Sequence, residues 1–152
     1  MGACQACEQP QQTDYMLKHD PTTMMMLDPD FYNDVTRAKA MEVGEFKYGD
    51  EELPYITKGP ILMDDGSKYL GQFHNGKRCG RGKQVWEDFS IYEGYFDNDK
   101  ANGRGRLIHS NGDVYEGEWM DDKAHGKGVY LHKDGSSYTG EWFEDMQHGY
   151  GI

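Results

Sequence analysis

The segment Tyr115-Glu116-Gly117-Glu118-Trp119 is the most informative part of the sequence, because the same pattern returns along the chain at a constant spacing. Its counterparts begin at Tyr69, Tyr92 and Tyr138, so that each unit starts 23 residues after the previous one. A Gly-x-Gly pair follows each start at a fixed offset, as in His125-Gly126-Lys127-Gly128. Self-similarity at a fixed period of this length is typical of repeat architectures.

Alternating residues of a strand share one face, which places Tyr115, Gly117 and Trp119 together. We expect the rings of one strand to lie over the bare glycines of the next, with ring contacts worth about 0.5–1.5 kcal/mol each. The polar run 120–124 predicts a hairpin connection, so that each unit is one hairpin stabilised by its neighbours. The candidate surface consists of the repeated aromatic and glycine positions: Tyr69, Gly71, Phe73, Tyr92, Gly94, Phe96, Tyr115, Gly117, Trp119, Tyr138, Gly140, Trp142, Gly80, Gly82, Gly103, Gly105, Gly126, Gly128, Gly149 and Gly151.

This pattern resembles the MORN repeat (membrane occupation and recognition nexus), whose core reads Tyr-x-Gly-x-Trp, a short turn, His-Gly-x-Gly and a closing glycine. The unit at 69–91 departs most, with Phe73 for Trp, Cys79 for His and Phe89 for the closing glycine. The resemblance implies an all-β fold, an elongated single-layer antiparallel array of β-hairpins. It also implies a scaffold or attachment module, since the family serves in many settings.

The period sets the boundaries along the chain. Residues 1–28 are predicted to form an extended arm, and residues 29–58 a short helix at about 29–43 with a degenerate lead-in. Because the array stops at Ile152 within the second strand of its unit, we expect either a truncated chain or an edge strand covered by another subunit through β-addition. The repeat region comprises a half repeat, three repeats and a partial repeat, with about eight strands in all: 59–68, 69–91, 92–114, 115–137 and 138–152.

One helix is predicted before the repeats. Asp28 is a suitable N-cap, Pro29 suits the first helical position, and Gly44 predicts an end after Val43. We expect the helix to cap the first strands of the array, and the alternative is that it docks in a partner's groove. The helix bears one apolar stripe, which would pack on the strands or in that groove and consists of four side chains: Phe31, Val35, Ala38 and Met41.

The amino terminus begins Met1-Gly2-Ala3-Cys4-Gln5-Ala6-Cys7 and resembles a dual-acylation motif. Gly2 is a candidate myristoyl acceptor, and Cys4 and Cys7 are candidate palmitoyl acceptors. Both kinds of acyl group are needed, because a single chain binds membranes only marginally. Since Ala6 stands where Ser or Thr is preferred, an unmodified polar tail and a redox or zinc-binding cysteine pair remain as alternatives.

The composition and the repeats argue against several classes of function. With 16 Lys and Arg against 27 Asp and Glu, the net charge of −11 repels nucleic acid. His125 occupies a repeat position that holds Cys79 and Asn102 in other units, which indicates a hydrogen-bonding position in place of a metal site. The Gly-x-Gly pairs open no helix, as a dinucleotide fingerprint would. We therefore expect no enzymatic activity, no cofactor, no metal and no small-molecule substrate.

Two functions follow from these observations. The first is a non-catalytic scaffold that holds other proteins in a cytoskeletal assembly, in a cilium or axoneme. The second, suggested by the family resemblance, is an acyl-anchored peripheral membrane protein that recruits partners or phosphoinositides. Acidic residues offset the basic clusters at 77–83 and 104–106, which favours the first function. The expected location is the cytoskeleton or cilium, or the cytoplasmic face of a membrane.

Overall fold

The computed structural model describes residues 33–152, which form one helix and nine strands. Every strand pairs antiparallel with its neighbour in sequence, so the strands make one open sheet. This confirms the predicted all-β hairpin array, although the expected count of eight strands was one too low. In chain order the elements are α1 (Asp34–Val43), β1 (Ile56–Leu62), β2 (Lys68–His74), β3 (Lys77–Val85), β4 (Ile91–Asp97), β5 (Lys100–Ile108), β6 (Val114–Met120), β7 (Lys123–Leu131), β8 (Ser137–Phe143) and β9 (Met146–Gly151).

Each repeat is a hairpin closed by a two-residue turn. Between β6 and β7, Asp121 and Asp122 have φ values of 47° and 69°. Two successive positive φ values define a type I′ turn, whose twist matches that of the paired strands. Strand pairing continues up to Met120 and Lys123, so the predicted five-residue connection at 120–124 was too long.

A row of glycines crosses the sheet from strand to strand. Gly94 of β4 pairs with Gly82 of β3 on one side and with Gly105 of β5 on the other. The first glycine of each Gly-x-Gly pair lies where the register shifts, and Gly103 has a φ of 88° there. The row comprises one glycine from each strand after β1: Gly71, Gly82, Gly94, Gly105, Gly117, Gly128, Gly140 and Gly151.

The two faces of the sheet differ. The aromatic face bears the repeated rings, such as Tyr92 and Phe96. Helix α1 and residues 44–51 lie on the opposite face, which we call the arm face. From here on, the arm means residues 44–51 and not the predicted amino-terminal arm of residues 1–28. On the arm face Ala40 of α1 packs on an aliphatic row at the ends of the strands: Leu70, Val85, Ile91, Ile108 and Val114.

Helix α1 begins later than predicted. Its N-cap is Asn33, whose extended backbone lets Oδ1 accept the N–H of Thr36 at 2.8 Å. The Thr36 hydroxyl accepts the Asn33 N–H in return at 3.3 Å, which completes a capping box. The predicted start at Pro29, with Asp28 as N-cap, is therefore wrong for this helix, whereas its end at Val43 agrees with the prediction.

The predicted buried stripe of this helix is also wrong. Val35 and Met41 are 48% and 68% exposed, and Ala38 is exposed as well, while Phe31 lies outside the described residues. The buried residues are Thr36 and Ala40. The capping box satisfies the Thr36 hydroxyl, and Ala40 is small enough for close approach to the sheet. The face of helix α1 that packs on the sheet is therefore the one that bears the capping threonine and a small alanine, and not the most apolar face.

Candidate functional site

The aromatic face contains one continuous row of edge-to-face rings. Neighbouring rings have centroids 5.1–5.5 Å apart and planes inclined by 77–88°. Edge-to-face contacts align the positive ring edge with the negative face of the neighbour. The row links all four repeats in the order Phe73, Tyr69, Phe96, Tyr92, Trp119, Tyr115, Trp142 and Tyr138.

The glycines of the row leave room for these rings, because they have no side chain. The ring of Tyr92 lies against Gly105, where an added Cβ would come within 2.6 Å of Cζ. The Tyr92 hydroxyl donates to the Tyr95 carbonyl oxygen at 2.8 Å, and burial raises the pKa of this hydroxyl. Tyr69 and Tyr115 repeat this arrangement and are buried too. These three tyrosines are therefore structural and offer little surface to a partner.

Part of the aromatic face remains open beside the rings. A groove of about 340 Å³ lies between the half-buried Trp86, Leu107 and Trp119. Its charged lining includes Arg78, whose Nε donates to Asp99 at 2.7 Å. Burial alone would raise the pKa of Asp99, but hydrogen bonds from Arg78 together with its charge outweigh burial and lower that pKa. Arg78 of the first repeat is thus bound to Asp99 of the second repeat.

The arm face binds a polypeptide segment, namely the chain's own arm. Arg106 Nη2 donates to the Gly44 carbonyl oxygen at 2.6 Å, and Arg104 Nη2 donates to the Lys47 carbonyl oxygen. Arg81 Nη2 reaches two more carbonyl oxygens, those of Gly49 and Glu51, both at 2.6 Å. These arginines come from two successive repeats and recognise backbone atoms. The arm is therefore held across the first two repeats through its backbone carbonyl oxygens.

Aromatic contacts strengthen this attachment. Phe46 is 2% exposed and lies beneath the guanidinium groups of Arg104 and Arg106, 5.2 and 5.9 Å from its ring centroid. Cation–π contacts of this kind contribute about 0.5–2 kcal/mol each, more when water is excluded. The Tyr95 hydroxyl also accepts the Gly49 N–H at 2.7 Å.

A buried group of charges lies under the arm. Glu93 of β4 has Lys83 Nζ 3.4 Å from one carboxylate oxygen and Arg106 Nη2 3.4 Å from the other. All three side chains are at most 3% exposed. Charges removed from water in this way require partners, because desolvation of a single ion costs several kcal/mol. The arrangement links three adjacent strands across the boundary between two repeats.

A second group of titratable side chains joins the second and third repeats at the loops that connect successive hairpins. The Asp113 carboxylate accepts the Lys133 backbone N–H and the Tyr130 hydroxyl, both at 2.9 Å, and His132 Nδ1 lies 3.5 Å away. Burial alone would raise the pKa of Asp113, but these hydrogen bonds outweigh it and lower that pKa. Burial and the nearby carboxylate raise the pKa of Tyr130 to about 12.

Replacing Asp113 with asparagine is expected to lower the free energy of unfolding by about 1 kcal/mol at neutral pH, because an amide replaces a charged acceptor. A lowered folded-state pKa stabilises the fold above the unfolded value of about 3.9, and this contribution disappears as pH falls through the folded-state pKa. Urea unfolding of both proteins from neutral pH to about pH 3 measures the difference, which should shrink towards zero in acid. A difference that does not change with pH contradicts the assignment.

Three aspartates have a structural role that was not predicted. In the turn after β6, Asp122 donates its N–H to the Ala101 carbonyl oxygen at 3.0 Å and accepts the Ala101 N–H on Oδ1 at 2.8 Å. Asp145 makes the same pair of bonds with Ala124, at 3.0 and 2.7 Å. Asp99 takes this position one unit earlier, against Arg78. Their 23-residue spacing was the available indication.

The repeat position that holds Cys79, Asn102 and His125 has a different environment in each unit. Asn102 accepts the Asp121 N–H at 3.0 Å, whereas Cys79 is buried and His125 stacks beside Phe143. Among residues 33–152, no group of three or more His, Cys, Asp or Glu side chains could hold a metal ion. No helix in that range has the length and apolar character needed to cross a bilayer. The candidate lipidation residues Gly2, Cys4 and Cys7 lie outside the described part of the chain.

Comparison with protein families identifies the repeats. The family model for the MORN repeat matches residues 69–91, 92–114, 115–137 and 138–152, which is more than half of the chain. A sequence comparison with curated proteins finds no match. Members of this family are generally non-enzymatic and bind proteins or membranes. The four matched repeats, together with the hairpin array that they form, show that the chain belongs to the MORN repeat family.

Proposed function

We propose that this chain is a non-catalytic scaffold that holds other proteins in a cytoskeletal assembly, in a cilium or axoneme. The observation that carries the proposal is the binding of the arm on one face of the array. Arg81, Arg104 and Arg106 hold that segment through its backbone carbonyl oxygens. A face that binds one polypeptide segment through its backbone atoms is suited to binding others.

The edge of the sheet offers a second means of attachment. Among the described residues, strand β9 pairs with β8 alone. An open edge presents unpaired N–H and carbonyl groups that a strand of another subunit can complete. Addition of such a strand would extend the array into a larger assembly, which is the arrangement that a cytoskeletal scaffold requires.

The alternative function is a peripheral membrane protein anchored by acyl groups on Gly2, Cys4 and Cys7. The net charge of −11 gives the chain no general attraction to anionic lipids. Membrane binding would therefore depend on the acyl groups, and phosphoinositide recognition would need a local basic site. The arginines of the arm face are engaged by the arm, which favours the scaffold.

Extraction of native cells with a non-ionic detergent separates the two functions. We expect the chain to remain in the insoluble cytoskeletal fraction together with cross-linked neighbours. Release into the detergent-soluble fraction, with an intact mass that includes myristate and palmitate, would favour the membrane anchor. Purification from these cells as a soluble monomer without partners contradicts the scaffold.

A further inference from the structure

The positions that hold the arm recur beyond its reach. Arg81 and Arg104 occupy the same place in successive repeats, and Lys127 occupies it in the next one. Both arginines donate to carbonyl oxygens of the arm, and Lys127 is exposed, as Arg104 is. The arm face therefore continues over the third and fourth repeats with a cation in the position that binds backbone carbonyl oxygens.

Burial differs sharply between the two halves of this face. Glu93 is 1% exposed beneath the arm, but its counterpart Glu116 in the next repeat is exposed. Arg106 is 3% exposed, and its counterpart Val129 is 41% exposed. A shallow depression of about 490 Å³ occupies this area. We call these side chains the open strip: Glu116, Glu118, Lys127, Val129, Thr139 and Glu141.

The charge of the face reverses along the array. The covered half is basic, because Arg81, Lys83, Arg104 and Arg106 outnumber Glu93, and the arm that covers it is acidic. In the open strip three glutamates stand against one lysine. The same architecture thus selects an acidic segment in one half, and its charge favours a basic segment in the other.

We propose that the open strip binds an extended, basic segment of a partner protein, an inference that rests on the proposed scaffold function. The segment lies across the strands as the arm does. Lys127 donates to one of its carbonyl oxygens, and an apolar side chain packs on Val129 at the place where Phe46 packs on Arg106. Lysine or arginine side chains of the segment pair with Glu116 and Glu141.

Charge argues against the two other occupants of this surface. Residues 1–32 contain five acidic residues and one lysine, so that this part of the chain is repelled by the open strip. A second copy of the chain has a net charge of −11 and is repelled as well. A basic partner segment is the occupant that complements the strip.

Two peptides derived from the arm test the charge preference. The first is the hexapeptide of residues 45–50 with its three charged residues replaced by arginine, and the second has glutamate at those places. Binding of each fluorescently labelled peptide to the full chain is measured by polarisation at physiological salt. We expect the basic peptide to bind and the acidic peptide to bind at least about tenfold more weakly.

Charge-reversal variants locate the binding site. The double variant Glu116→Lys with Glu141→Lys is expected to weaken binding of the basic peptide at least about tenfold. Asp64→Lys with Glu87→Lys is the matched control, because both residues are exposed, lie in turns far along the chain and change the net charge equally. The control should stay within about twofold of the original chain. Equal weakening in both variants would indicate general charge attraction and would overturn the proposal.

A thiol probe identifies the occupant. Thr139→Cys, in a chain with Cys4→Ser and Cys7→Ser, places a thiol in the open strip, while Cys79 is buried. The thiol at position 139 should react rapidly with a maleimide in the free chain and at least about tenfold more slowly with the basic peptide bound. Slow reaction in the free chain at every concentration would assign the strip to residues 1–32. Slow reaction only at high concentration would assign it to a second copy. Either result overturns the proposal.

The proposal and the scaffold function fail separately. If a partner recovered from the cytoskeletal fraction binds the Glu116→Lys, Glu141→Lys variant as tightly as the original chain, the open strip is not its binding site. The scaffold function then stands and this inference does not. Loss of partner binding in this variant, but not in the control, supports both.

Discussion

Replacing Gly94 with alanine is expected to lower the free energy of unfolding by about 3 kcal/mol or more. An added Cβ would lie 2.5 Å from Gly105 Cα and 2.6 Å from the Arg104 carbonyl oxygen, both of which are backbone atoms of the neighbouring strand. It would also come within 2.7 Å of the Tyr92 hydroxyl. Neither strand can withdraw without breaking the pairing of β4 with β5 in the middle of the sheet. Urea or thermal unfolding of the variant measures the loss.

Gly135→Ala is the matched control for this change. An added Cβ there meets nothing within 4 Å, but the φ of 92° penalises any side chain. The expected loss is about 1–2 kcal/mol, the penalty for left-handed backbone alone. Equal losses in the two variants would mean that the glycine row is not set by close contact between strands.

Replacing Glu93 with glutamine is expected to lower the free energy of unfolding by about 3–5 kcal/mol. The substitution keeps the size of the side chain but removes the negative charge between Lys83 and Arg106, which are at most 3% exposed. The two cations would then face a neutral amide under the arm. The loss should appear in urea unfolding, together with faster proteolysis of the arm.

The repeat itself supplies the control for Glu93. Glu116 occupies the same position one unit later and is exposed, so that Glu116→Gln should change stability by no more than about 0.5 kcal/mol. If both variants lose the same amount, or if neither does, burial beneath the arm is not the reason for the importance of Glu93.

The repeat architecture could be predicted because the same alternation of rings and glycines recurs in every repeat. The spacing of Tyr92, Gly94 and Phe96 gives their common face, and its recurrence gives the order of pairing. Bare glycine beside a large ring has few other structural uses in a strand. The aromatic and glycine rows therefore followed from alternation and period together.

The helix and the arm escaped prediction because they depend on single contacts. The predicted N-cap was Asp28, whereas helix α1 begins after Asn33, whose capping box with Thr36 was not predicted. The burial of Phe46 depends on Arg104 and Arg106, which lie more than 50 residues away in the sequence. No local pattern reports such a distant contact. The open strip was missed for the same reason, since its exposure is defined only by where the arm ends.

The aspartate of each hairpin turn has a consequence for the length of the molecule. Asp122 and Asp145 attach their hairpins to the preceding ones through the same two hydrogen bonds, so the joint is identical wherever the unit recurs. An additional 23-residue copy inserted between two repeats would meet a ready-made neighbour on either side. The length of the array would then increase by two strand spacings, about 10 Å, with every added copy.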